Sequence, residues 1–132
     1  MQATLASAAT FSGVGLHSGE DAKLTIRPAG PDFGLVFRRM DAPLGEGDIP
    51  ALWHNVVQSP LCTRLVNDFG VSVSTVEHLM AALVGCGVHN ALIEVTGPEV
   101  PILDGSAQSF VRGILARGLR KSDAPIRAVR VR

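Results

Sequence analysis

A carboxylate and an imidazole stand side by side at Glu77-His78, within Ser74-Thr75-Val76-Glu77-His78-Leu79-Met80-Ala81-Ala82-Leu83-Val84-Gly85, a stretch that is otherwise mostly apolar. Its pattern predicts a helix of about three turns, opened at Ser74 and closed by the glycines at 85 and 87. A helix that is apolar nearly all round is normally buried on more than one side. Burying a carboxylate and an imidazole there costs free energy unless each is paired, metal-bound or hydrogen-bonded. Two chemistries fit. His78 can ligate a metal ion while Glu77 acts as general base on a metal-bound water. Alternatively, Ser74-x-x-Glu77 is a capping box, with Ser74 capping the Glu77 amide, Glu77 reaching back, and His78 an ordinary polar residue at a helix start.

The other candidate groups are scattered. His17 sits in Gly13-Val14-Gly15-Leu16-His17-Ser18-Gly19, where three glycines in seven residues mark a turn or a close backbone approach. His17 and Asp21 have His-x-x-x-Asp spacing, but the intervening glycine and turn context deny them helical i, i+4 geometry. His54 and His89 have no partner by spacing and read as structural or solvated. Cys62 and Cys86 are the only cysteines and lie in apolar contexts, which favours buried thiols over a disulfide. No Cys-x-x-Cys pair exists to build a zinc site from thiolates.

The elements that must position these groups are mostly strands. Residues 3–12 alternate loosely, 22–28 alternate with period two up to Pro28, and 34–39, 62–67 and 90–96 read as further strands. Residues 40–60 carry four prolines and glycines before Pro60 and read as loop, with a short ordered piece around Leu52-Trp53-His54. A second helix is predicted over Ala107–Arg117, with Phe110, Val111, Ile114 and Leu115 as its apolar stripe. On the first helix, Val76, Leu79, Met80 and Leu83 suit a sheet, while Ala81, Ala82 and Gly85 leave room for close approach by something else. The fold class is α+β: a mostly antiparallel sheet with two helices packed on one face.

With 132 residues, 46% of them hydrophobic and 18% charged, the chain has the composition of a globular domain. No apolar run approaches the roughly 20 residues that span a bilayer, and the N-terminus lacks the pattern of a signal peptide, so a cytoplasmic location is expected. Net charge is zero, but Arg112, Arg117, Arg120, Lys121, Arg127, Arg130 and Arg132 crowd the end against Asp123 alone. Such a run can attract phosphates, anionic lipid or an acidic partner, or form a solvated helix face and linker. Without aromatic residues in that segment, base stacking has no platform and no nucleic-acid partner is expected.

Four motifs occur in matching order: Gly13-Val14-Gly15-Leu16-His17-Ser18-Gly19, Leu61-Cys62-Thr63, Ser74-Thr75-Val76-Glu77-His78-Leu79 and Pro101-Ile102-Leu103-Asp104-Gly105-Ser106. Together they resemble the N-terminal domain of the zinc-dependent UDP-3-O-acyl-N-acetylglucosamine deacetylases of lipid A biosynthesis. The resemblance implies one half of a two-domain β-α-α-β sandwich whose helical layers face each other. It makes His78 a zinc ligand and Glu77 the general base, with His17, Leu61, Cys62 and Thr63 around the substrate, a UDP-sugar lipid precursor. Asp104-Gly105-Ser106 looks structural, a turn feeding the second helix.

In that family two further zinc ligands and a catalytic histidine lie in the second domain, which has no counterpart here. One histidine does not hold catalytic zinc, which normally takes three protein ligands, so the chain alone is expected to be inactive. Residues 1–121 are read as the domain and 122–132 as a basic tail or the start of a missing second domain. An exposed helical layer predicts a homodimer through it, or a second-domain polypeptide. The alternative is a non-catalytic binding or regulatory module that kept the fold and binds the parent enzyme, a nucleotide-sugar or anionic lipid.

Overall fold

A computed structural model describes residues 1–128; positions 129–132, and with them Arg130 and Arg132 of the basic run, lie outside the described residues. In chain order the first strands are β1 (Ala3–Leu5), β2 (Ala9–Val14), β3 (Asp21–Pro28), β4 (Leu35–Arg39) and β5 (Asp48–Pro50). Then come β6 (Val56–Val57), β7 (Arg64–Val66), β8 (Ser72–Ser74), helix α1 (Glu77–Gly85), β9 (Ala91–Val95), helix α2 (Gln108–Arg117) and β10 (Leu119–Lys121).

Period-two alternation builds the main sheet, of strand order β2-β3-β9-β4-β5. Ala22, Leu24 and Ile26 of β3, and Ala91, Ile93 and Val95 of β9, are buried on its inner face, joined by Phe37 and Ile49. The alternate residues face outward, where Arg27 pairs with Glu94. Three of the four strand pairings are antiparallel, and β4 and β9 pair in parallel, Phe37 opposite Ile93. A parallel pair needs a long crossover, and here that crossover carries α1. The sheet is thus mostly antiparallel, in an α+β fold.

The two helices pack on one another, and their buried side chains join the sheet's inner face in one core. Leu79, Ala82 and Leu83 are the buried face of α1. Ala82 therefore departs from the open side assigned to it above, because it lies three residues from Leu79 and shares its face. Ala81, Gly85 and Val84, the last 67% exposed, form the open side. The helix ends where Gly87 takes φ +78°, with the Val88 amide donating to Leu83 O at 2.9 Å, a left-handed cap suited to glycine. On α2, Phe110 and Ile114 are buried, whereas Leu115 turns out of the expected stripe and is 55% exposed. Phe11 of β2 meets Phe110 edge-on, with centroids 5.1 Å apart. Gly113 makes room for that ring, since a Cβ there would collide with it.

Several boundaries differ from the sequence reading. The loose alternation at 3–12 is two strands, because β1 leaves the main sheet to pair with β10. The expected loop at 40–60 contains β5, a 3-10 turn at Trp53–Asn55, and β6. The strand expected at 62–67 shortens to β7, the middle of a small β6-β7-β8 sheet. Past β10, the Ser122 amide donates to Gln2 O, and the Gln2 amide donates to Ala124 O, each at 2.9 Å. The buried Gln2 and Asn90 satisfy one another, Asn90 Nδ2 donating to Gln2 Oε1 at 2.8 Å. His89 is structural here, its Nδ1 accepting from the Ala3 amide at 3.0 Å.

Truncating a core aromatic and breaking a surface ion pair should differ sharply. Phe110→Ala is expected to cost about 3–5 kcal/mol in urea unfolding, as a buried aromatic loses its packing. Arg38→Met removes the surface pair with Asp48, at 2.6 Å and with both side chains more than two-fifths exposed. Its cost should stay below about 1 kcal/mol.

Candidate active site

The head of α1 is not built by a capping box. Ser74 belongs to β8, its amide donating to Pro98 O at 2.9 Å, and the helix starts at Glu77 with no side-chain cap. Strand pairing has taken Ser74 away from the helix end. Between them the buried Thr75 stands at φ +62°, a left-handed conformation that costs a β-branched residue on the order of 1–3 kcal/mol unless its surroundings impose it. They do. The Thr75 amide donates to Thr63 O at 2.9 Å, and its hydroxyl donates to the Glu99 carboxylate.

Glu77 reaches sideways instead of back. Its Oε2 accepts from the Thr63 amide at 2.9 Å, so the N–H and the C=O of the one residue Thr63 both bond to the segment that opens α1. Among the described residues, Oε1 of Glu77 carries no protein hydrogen bond, and no buried side-chain polar atom is left unpaired. His78 is half-buried on the first helical turn.

Sequence reasoning missed Glu99, which is 2% exposed. It accepts from the His17 amide at 3.0 Å and the Ser18 amide at 2.8 Å as well as from the Thr75 hydroxyl. Burial pushes its carboxyl up, but the hydrogen bonds from Thr75, Ser18 and His17 outweigh burial and hold it below the usual carboxylate range. Gly15 is the other half of this arrangement, since a Cβ there would collide with Glu99 and with the Ser18 hydroxyl. The available signal was a carboxylate between Pro98 and Pro101, in an otherwise apolar segment.

Glu99 forms the floor of an open groove of about 400 Å³. His17, Ser18, Leu61 and Cys62 stand in its walls, so three of the four residues expected around a substrate share one cavity. Thr63, Glu77 and His78 are not in its lining; Thr63 follows the lining residue Cys62 in the chain and bonds Glu77, and His78 is the next residue of α1. His54 is on the 3-10 turn, against Trp53. Asp104 accepts from the Ser106 amide at 3.0 Å and Ser106 Oγ accepts from the Gln108 amide at 3.2 Å, the turn expected before α2.

The profile of the family described as LpxC, UDP-3-O-acyl N-acetylglycosamine deacetylase, matches residues 2–132. The chain belongs to this deacetylase family. It is 48% identical over 133 residues to a UDP-3-O-acyl-N-acetylglucosamine deacetylase of Vibrio cholerae, and 46% identical to that of Aliivibrio fischeri. In both cases 99% of this chain is covered but 43% of the relative, so the chain spans less than half the length of the curated relatives it matches. The match is to the N-terminal part of the family.

Family members carry zinc, and the donors among the described residues do not by themselves make a complete zinc site. Among the described residues no three His, Cys, Asp or Glu side chains come together where they could share a metal ion. At the head of α1, His78 is a single nitrogen donor, and Glu77 has one oxygen engaged by Thr63. A tetrahedral catalytic site needs three protein ligands. Among the described residues, no helix is long and apolar enough to cross a membrane.

The Glu99 cluster has a pH signature. A carboxyl whose folded pKa is lowered stabilises the fold above its unfolded pKa, and that contribution fades as pH falls through the folded value. Glu99→Gln should therefore cost about 2 kcal/mol at neutral pH. In urea unfolding against pH, the gap from the parent chain should narrow steadily on the acid side of the carboxylate range.

Proposed function

We propose that this chain contributes His78 and Glu77 to a UDP-3-O-acyl-N-acetylglucosamine deacetylase centre whose remaining zinc ligands come from another polypeptide segment. The carrying observation is Glu77 on the first turn of α1, with Oε2 held by the Thr63 amide and Oε1 without a hydrogen-bond partner among the described residues. Amide hydrolysis needs a base for the attacking water, and a carboxylate fixed at one oxygen presents the other in a defined direction. His78, next along the same turn, serves as one metal ligand. The groove walled by His17, Leu61 and Cys62, beside Thr63, receives the UDP-sugar lipid precursor.

Membership of the family over residues 2–132 supports this reading. The exposed Ala81, Val84 and Gly85 of α1, and the exposed Leu115 of α2, support association with a second-domain polypeptide or a second copy of this chain. The reaction is that of a soluble cytoplasmic enzyme.

A second reading, a non-catalytic module that binds an anionic partner, is favoured by the exposed Arg112, Arg117, Arg120 and Lys121. Deacetylation decides between them. An assembled mixture with a polypeptide carrying the family's second-domain ligands should hydrolyse the acetyl amide, and Glu77→Ala should lower turnover by at least about a hundredfold. No turnover from a mixture shown to be assembled contradicts the deacetylase reading. Loss of anion binding in a charge-reversed Arg117 and Arg120 variant, with Glu77→Ala silent, would favour the module.

A further inference from the structure

The candidate site contains a connected path that the metal-site residues alone do not reveal. The His17 and Ser18 amides donate to Glu99, and the Thr75 hydroxyl donates to the same carboxylate. The Thr75 amide then donates to Thr63 O, and the Thr63 amide donates to Glu77 Oε2. The links between residues are hydrogen bonds, joined through the covalent frames of Thr75 and Thr63, and the carboxylate at the centre is 2% exposed, walled on one side by Gly15. Three donors converge on two oxygens, which only an ionised carboxylate accepts fully. Thr75 keeps its left-handed backbone at the joint between β8 and α1.

We infer that Glu99 is a positioning residue that holds the His17 loop in register with the head of α1, and so with Glu77, through Thr75 and Thr63. Its value for deacetylation rests on the function proposed above; the linkage itself does not. Without Glu99, the loop bearing His17 loses two backbone anchors and Thr75 loses the partner that stabilises its backbone. Thr63, bonded to Thr75 through its carbonyl and to Glu77 through its amide, then holds Glu77 less firmly. Charge-assisted hydrogen bonds in a buried setting are strong enough to set such a register, where exposed ones are not.

Amide hydrogen exchange on the 132-residue chain tests this without any assay of activity. Glu99→Gln keeps the shape but offers one acceptor in place of two. It should speed exchange by about tenfold or more at His17, Ser18 and Thr63, while Phe37 and Ile93 in the central strands stay as in the parent. Thr75→Val replaces the hydroxyl with a methyl and leaves the Glu99 carboxylate in place, so it should free Thr63 while His17 and Ser18 remain protected by the carboxylate. An even rise across the central strands would mean a merely structural role and overturn the inference. So would unchanged Thr63 exchange in both variants. If Glu99→Gln fails to fold, Thr75→Val decides alone. In an active assembly, Glu99→Gln should lower kcat about tenfold with KM within about twofold. An assembly inactive with the parent chain would count against the proposed function and leave the exchange result standing.

Discussion

A buried carboxylate with three hydrogen-bond donors holds this molecule's site together. Glu99 sits where three segments meet: the glycine-rich loop at 13–19, the end of β8, and the stretch leading to the second helix. Burying an ionised group without partners costs several kcal/mol, so the fold keeps Glu99 charged only by spending backbone amides on it. Those amides belong to the loop that carries His17. The requirement to satisfy one carboxylate thus fixes a loop that has little packing of its own, with Leu16, His17, Ser18 and Gly19 all exposed.

The same requirement accounts for the head of α1. A helix start normally satisfies its free amides with a side-chain cap, and Ser74 was placed in sequence to do so. In the structure Ser74 is consumed by strand pairing, and the helix begins after a strained Thr75 that Glu99 and Thr63 hold in place. This frees Glu77 to bond the Thr63 amide, in place of its own helix end. Local strain at Thr75 and an unusual use of Glu77 occur together at the one place where the residues suit chemistry.

Much of the fold was legible in the sequence, because the strand patterns at 22–28 and 90–96 report the strands found there as β3 and β9, and Phe110 and Ile114 report a helix face. The parallel pairing of β4 with β9 was not legible, since strand partners are chosen by tertiary packing and both strands read alike in either direction. The short strands of the 40–60 segment escaped for the related reason that two or three residues carry no period. At the site, Glu77 and His78 stood out by chemical type in an apolar helix, and His17, Leu61 and Cys62 by motif. Glu99 was invisible to the same reading, since a single carboxylate between prolines looks like solvated loop until its donors, more than 20 residues away in sequence, are brought to it.

Zinc binding tests the division of the site between this chain and another segment most directly. Metal content and affinity would be measured on the chain alone, on the assembled mixture with a polypeptide carrying the second-domain ligands, and on both with His78→Ala. A single donor from this chain predicts no tight zinc on a monomer, one zinc per completed centre in the assembly, and its loss in His78→Ala. Stoichiometric zinc that survives His78→Ala in the assembly would contradict the account, because the metal would then be held without the head of α1.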